Sequence, residues 1–351
     1  MTAIDQASTK ANPVKIWFTR CGGATASTVA IRKNWLQEEF SGSEVTLSSL
    51  RESDDPTVRA SHYDHNLTSM FREGGNIPPI WARAKGVDTV TLGITWVDEY
   101  QAVVTRPDSD IRELSDLKGR RLAVPLHKDI AIDFQRGAAL HGFKHALGLA
   151  GIDRGAVEFV DIPVEPGAGA AAGGGHGFAV LAALANREVD AAFLRQGTGF
   201  KLWQERAPEL RQLLKITDLA DPLQRVNNGT PRPITVHRSF LDRHPDLVVR
   251  YLAVLLRAAA WAEANPSEAV KVVAAEGGDA REEVTALAYP RLAASLTPKL
   301  TSDYVRGLEA QKNFLRDWGF LANDFDIGSW IEAGPLEEAQ RLVAREARSA
   351  A

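Results

Sequence analysis

The chain of 351 residues is 44% apolar and 25% charged, enough to bury the cores of two lobes and too apolar for a long disordered chain. Its net charge of −4 supplies no general basic field, which argues against nucleic acid as a partner. A single cysteine, Cys21, excludes an internal disulfide and a cysteine-rich metal centre.

Val14–Phe18 reads as a strand and residues 25–40 as a helix with Val29, Trp35, Leu36 and Phe40 on its buried face. Residues 45–50 read as a second strand. A loop-rich stretch follows, then a short helix after Pro78-Pro79, where proline suits a first turn. Residues 89–96 and 101–105 complete a β-α-β order that predicts a mostly parallel sheet covered by helices. Near Arg106-Pro107-Asp108-Ser109 the chain is expected to enter a second unit, and to return between Gln196 and Lys215. That unit opens with LSDLKGRRLAVPL (114–126), a capped turn and a strand. A helix over 129–149, a strand over 157–162, a helix over 178–186 and a strand over 191–194 follow. Beyond it, residues 244–276 have a strong helical period broken at the Asn265-Pro266 capping step, and 304–318 and 335–348 continue the pattern. The expected division is 1–105 with 216–351 as one lobe and 106–215 as the other.

The N-terminal residues MTAIDQASTKANPVKIWF lack a basic start leading into an apolar core and cleavage site, and no apolar run is long enough to span a bilayer. A cytoplasmic protein without membrane insertion is the expectation. The Gly-rich stretch EPGAGAAAGGGHG (165–177) lacks the Gly-Lys-Ser/Thr ending of a phosphate-binding loop. It reads as a flexible surface loop, or as a mobile lid carrying His176. His141 and His145 are four apart and share a helix face; without a third ligand, a solvated face is expected. His65 has no role assigned by its spacing. Trp17, Trp96 and Trp203 either line an aromatic pocket or, by default, pack in the core.

The stretch TRCGGATAST (19–28) places Cys21 at the end of a strand and ahead of a helix, where open α/β sheets bind ligands. A lone cysteine is otherwise a small buried filler.

DLKGRRLAVP, REVDAAFLRQG and HPDLVVRYLAVLLRAAAWAEANPSEAV, in that order, resemble the sulfonate, nitrate and thiamine-precursor solute-binding proteins. The resemblance implies an α/β, two-lobed type II periplasmic-binding-protein-like fold, each lobe a mixed, mostly parallel sheet flanked by helices, with a cleft between the lobes. A narrower resemblance lies in SHYDHNLTSMFREGGNIPP (61–79), which is similar to the 2′-hydroxybiphenyl-2-sulfinate desulfinases. That family carries a reactive Cys after the first strand, a His after the second, and an Arg ten positions beyond it in an Arg-x-Gly-Gly-x-Ile-Pro-Pro context. Cys21, His62, Arg72, Gly74, Gly75, Ile77, Pro78 and Pro79 match, and Thr19 stands where the family has serine. Gly22-Gly23 replaces the proline that follows the family's Cys.

The resemblance implies catalytic roles for Cys21, His62 and Arg72 and substrate binding by Thr19, Gly74 and Gly75. The helix start beside Cys21 would lower a thiol pKa and hold an anion. His62 would tune or orient the thiol. Arg72 offers a planar donor fork to a sulfinate, sulfonate or carboxylate, and the glycines let backbone amides approach it. The leading expectation is a carbon–sulfur hydrolase converting an organic sulfinate, with an aromatic one favoured, to the desulfurised product and sulfite. Cys21 would act as proton donor or as nucleophile. Neither route calls for a metal or organic cofactor, and the partner is a small organic anion. The alternative is a periplasmic solute-binding protein delivering a sulfonate to an ABC permease. A pyrimidine synthase of the thiamine-precursor type is disfavoured because its cysteine-rich motif is absent.

Overall fold

The computed structural model describes residues 13–128, 130–165, 175–277 and 281–350. The first sheet has the strand order β2-β1-β3-β10-β4, built from β1 (Val14–Phe18), β2 (Val45–Ser49), β3 (Met70–Glu73), β4 (Thr89–Thr95) and β10 (Arg232–His237). β1 runs parallel to β2 and β3, while β10 runs antiparallel to β3 and β4. The second sheet has the order β7-β6-β8-β5-β9, from β5 (Gln101–Thr105), β6 (Arg121–Leu126), β7 (Glu158–Pro163), β8 (Ala191–Arg195) and β9 (Arg211–Lys215). Here β6 is parallel to β7 and β8, and β5 is antiparallel to β8 and β9. Two mixed sheets flanked by helices, the second built from the consecutive strands β5–β9 and the first completed by the returning β10, make the two-lobed fold that the sequence resemblance implied.

β5 belongs to the second sheet, ahead of the crossing expected near Arg106. The link Trp96–Tyr100 is buried throughout, and its length alone resembled a connection between neighbours in one sheet. The return falls between Lys215 and Arg232, after β9, because residues 196–215 are taken up by α7 (Gln196–Glu205) and β9.

The expected first helix is two: α1 (Ala26–Arg32) and α2 (Trp35–Phe40), separated where Asn34 adopts a left-handed φ of 64°. The loop-rich stretch contains α3 (Pro56–Asp64) and the fully buried β3. Asp55 caps α3 by accepting from the Thr57 amide, with Pro56 in the first turn. The second-lobe helices are α5 (Phe134–Leu149), α6 (Gly175–Ala185) and α7. α4 (Ile77–Ala84) follows β3 in the first lobe.

Helices α9 (Pro245–Ala264) and α10 (Pro266–Glu276) part at Asn265 as expected. α9 packs on α1 and on α13 (Gly334–Ala350), and its Leu247, Val248, Leu252 and Leu255 join the core cluster that holds Ile16, Phe71 and Ile234 of the first sheet. Phe71 of β3 stacks on Tyr251 of α9, with ring centroids 3.9 Å apart. Successive strand residues face opposite ways, so anchoring Phe71 in this core turns Arg72 toward α3 and the cleft. No helix among the described residues is long and apolar enough to cross a membrane.

Candidate active site

The carboxyl end of β1 runs out through Thr19, Arg20 and Cys21 beside the end of β3. Thr19 is buried, and its hydroxyl donates to the Glu73 carbonyl at 3.4 Å. Cys21 is half-buried and free. β3 leaves through Gly74 directly beneath it: a methyl group on Gly74 would lie 2.4 Å from Cys21 Sγ and 3.5 Å from its Cβ. Gly75 is hemmed in by Asn228, whose Nδ2 would be 2.6 Å from an added Cβ. The two glycines therefore let the chain pass under the thiol and against the return segment.

Arg72 is 1% exposed. Its Nε donates to the His62 carbonyl at 3.0 Å and its Nη1 to the Gly75 carbonyl at 2.8 Å. Among the described residues it has no carboxylate partner and Nη2 has no hydrogen-bond acceptor. Burial lowers its pKa. A buried cation is ordinarily paired, since an isolated charge away from water is costly. Arg72 instead lines a cavity of about 400 Å³ together with Cys21 and His62.

His62 is pushed down to about 3 by burial, then by the neighbouring Arg72 and Arg51 cations, so it is neutral near pH 7. Its ring meets the edge of Tyr63 at a centroid distance of 4.8 Å. Tyr63 in turn stacks on Phe134, at 6.0 Å and 23°, so one aromatic wall is built from α3 of the first lobe and α5 of the second. Burial and the nearby Cys21 raise the Tyr63 pKa.

The start of α1 is already occupied. Glu73 accepts from the Ala26 amide at 3.2 Å, the Ser27 amide at 2.8 Å and the Ser27 hydroxyl at 2.6 Å, while the Thr25 side chain caps Thr28. Burial raises the Glu73 pKa against these hydrogen bonds. The helix start to which the sequence assigned an anion is thus taken by a carboxylate of the chain itself. Glu73 was missed because its ligands are backbone amides of another element.

Two residues of the return segment complete the floor. Asn76 donates to the Asn227 and Pro231 carbonyls, and Asn228 receives the Ile77 amide, which locks the glycine turn to residues 227–231. Arg232 spends all three nitrogens locally: Nε on the Gly229 carbonyl, Nη1 on the Ala24 carbonyl and Nη2 on Glu99 at 3.0 Å. It holds the Cys21 loop from below. Glu99 also binds Arg195 of the second lobe, so one fully buried carboxylate ties the two sheets beneath the cavity. Sequence separations of 96 to 208 residues hide this set, although Asn227-Asn228-Gly229 carries a turn signal.

The remaining candidates lie elsewhere. His141 and His145 are not on a solvated face: they stack at 4.5 Å, His141 bonded to Gln311 and His145 to the Val226 carbonyl. Their helix α5 is covered on that side by α12 (Ser302–Asp317), so the shared face points inward. His65 is buried at the end of α3, where its Nδ1 meets the Tyr63 carbonyl and its own carbonyl accepts from His237. Trp96 packs on Tyr304 and Trp203 on Tyr100, and none of the three tryptophans lines the cavity. Most of the Gly-rich loop, 166–174, lies outside the described residues; His176 belongs to α6, its ring 6.4 Å from that of His127. No group of three or more His, Cys, Asp or Glu among the described residues is placed to hold a metal ion.

A family model described as "NMT1/THI5 like" matches residues 75–269, more than half of the chain. The chain belongs to the NMT1/THI5-like family. No curated protein sequence matches this NMT1/THI5-like protein. Among solved structures, the desulfurization enzyme DszB superposes with a TM-score of 0.74 at 22% identity, covering 94% of this chain and 99% of that one. A cysteine-to-serine variant of DszB in complex with biphenyl-2-sulfinic acid gives a TM-score of 0.72 at 21% identity, over 94% and 99% of the two chains. The periplasmic aliphatic sulphonate binding protein SsuA from Escherichia coli gives 0.65 at 16% identity, over 92% of each. At these identities the likeness is one of fold, and it is the NMT1/THI5-like fold that all of them share.

Proposed function

We propose that the protein is a desulfinase that cleaves the carbon–sulfur bond of an organic sulfinate. The observation that carries this reading is a free thiol, Cys21, sharing one cavity with a buried guanidinium, Arg72, that has no carboxylate among the described residues to neutralise it. A binding protein needs the arginine and has no use for the thiol. The likeness to DszB supports the reading, and the net reaction balances without a redox partner: R–SO₂⁻ + H₂O → R–H + HSO₃⁻.

In the favoured route Arg72 holds the sulfinate oxygens and Cys21 protonates the ring carbon while the carbon–sulfur bond breaks. The departing SO₂ is hydrated to sulfite, and the proton lost by the thiol is restored from water. In the other route the thiolate attacks sulfur, R⁻ leaves and takes a proton, and water releases sulfite from the Cys–S–SO₂⁻ adduct. Neutral His62 adds no positive charge beside a thiolate, although Arg72 does; the first route is favoured because an aromatic ring carbon can accept the proton while sulfite departs. Gly74 and Gly75 position the thiol and Arg72, and Thr19 ties the end of β1 to the end of β3. Cytoplasmic placement accompanies this reading.

The likeness to SsuA favours a second reading, a periplasmic solute-binding protein that hands a sulfonate to an ABC permease. Incubating the purified protein with aryl and alkyl sulfinates while assaying sulfite separates the two. The enzyme releases sulfite catalytically; a binding protein takes up a sulfonate reversibly and releases none.

A further inference from the structure

The cavity holds more positive charge than one sulfinate needs. Five arginines line it (Arg20, Arg51, Arg59, Arg72 and Arg232) and a single carboxylate, Glu276. Arg232 is neutralised from behind by Glu99. At the mouth, Arg20 takes Glu276 through two hydrogen bonds of 3.0 and 2.6 Å and adds Glu52 at 2.9 Å. Arg51 reaches the same Glu276 only at 3.6 Å. Arg59 donates to the Ser53 carbonyl and has no carboxylate partner among the described residues. Arg72, deep beside the thiol, has none either. In a chain of net charge −4 this concentration of cation is a local feature of the cleft.

Arg72 and Arg59 have no carboxylate partner among the described residues, and Arg51 shares Glu276 with Arg20 at the longer distance. Arg72 lies on β3 next to Cys21; Arg51, in the turn after β2, and Arg59, within α3, lie at the rim. Tyr63 and Phe134 supply the apolar wall of the same cavity. We propose that the ligand is an aromatic dianion: an aryl sulfinate that carries a second anionic substituent, a carboxylate or sulfonate. The sulfinate goes to Arg72 and Cys21, the ring lies against Tyr63 and Phe134, and the second anion meets Arg51 and Arg59. A plain biaryl sulfinate brings no second anion to Arg51, which holds only a long contact to Glu276, or to Arg59, which holds only a carbonyl. This inference rests on the desulfinase reading for the identity of the first anion, and on the rim arginines alone for the second.

The test is calorimetric titration of the Cys21→Ser protein with three stable probes: benzenesulfonate, meta-carboxybenzenesulfonate and meta-benzenedisulfonate. Both dianions should bind at least about tenfold more tightly than the monoanion, the usual scale of a charge-assisted contact. An advantage confined to one of them identifies that substituent as the second anion. In an Arg51→Gln/Arg59→Gln double variant the dianion-to-monoanion affinity ratio should fall toward one. Equal affinities of the three probes, or a ratio unchanged in the double variant, would overturn the inference. Sulfite assays on the wild type with benzenesulfinate and meta-carboxybenzenesulfinate keep the two readings apart. Release from both at equal efficiency upholds the desulfinase and defeats the second-anion subsite. Absence of release with a retained dianion preference upholds the subsite and defeats the desulfinase.

Discussion

Gly74→Ala is the most exacting probe of how the thiol is held. An added Cβ would stand 2.4 Å from Cys21 Sγ, whereas ordinary nonbonded contacts are about 3.5–4.0 Å. The shortfall exceeds about 1 Å, and neither β3 nor β1 can yield that much without losing register. Cys21 is half-buried and borders open space, so its side chain moves instead, into the cavity. Overpacking of this kind costs about 1–3 kcal/mol, and the open neighbour places the cost at the lower end. Activity is more sensitive: a misplacement of about 1 Å at a reacting group is worth roughly a hundredfold in rate. Sulfite release should therefore fall by about two orders of magnitude while the melting transition stays cooperative. The rate of Cys21 alkylation, read in parallel, should change as the thiol moves toward solvent. Gly22→Ala, whose new methyl group meets nothing within 4 Å, is the stability control. Turnover of Gly74→Ala within about twofold of wild type, with an unchanged alkylation rate, would refute the contact as the device that positions the thiol.

A sulfonate should raise the melting temperature of the wild-type protein, and Arg72→Gln should abolish that rise, because the one deeply buried cation without a counter-ion among the described residues is lost; a retained thermal shift would contradict its role. Below pH 6.5 the unfolded chain protonates His62, whereas the folded protein does so only near pH 3, so the unfolded state holds more protons in between. Stability should thus fall as pH drops through that window, by up to about 1.4 kcal/mol per pH unit for a single group, and denaturant midpoints of wild type and His62→Gln should diverge less as pH rises. For the same reason the activity profile should show no His62 titration between about pH 5 and 8; a limb there that vanishes in His62→Gln would contradict its burial. Glu99→Gln removes the carboxylate shared by Arg195 and Arg232 and should destabilise by about 3–5 kcal/mol in chemical denaturation, as breaking a buried pair does.

Much of the fold was legible because the long helices and buried strands carry clean periods, from β1 through α9 and α10. β3 was not: four residues including Arg72 and Glu73 show no strand pattern, since the charged positions serve the cavity and the helix cap rather than the core. α3 carried an Asp-Pro start signal that the surrounding loop composition obscured. Cys21, His62 and Arg72 were found by their spacing within a resemblance, and the structure brings all three to one cavity. Arg232, Asn228, Phe134 and Glu99 were beyond reach. They arrive from β10 and the segment before it, from the second lobe and from the link between sheets, and only the assembled fold brings them round the cavity. The inward turn of His141 and His145 likewise depends on packing partners distant in sequence.

The most direct measurement is sulfite release from aryl sulfinates by the wild-type protein and by Cys21→Ser. The account predicts multiple turnovers for the wild type and loss of turnover in Cys21→Ser, with sulfonate binding retained. No sulfite from any sulfinate, together with identical sulfonate binding by the two proteins, would contradict it.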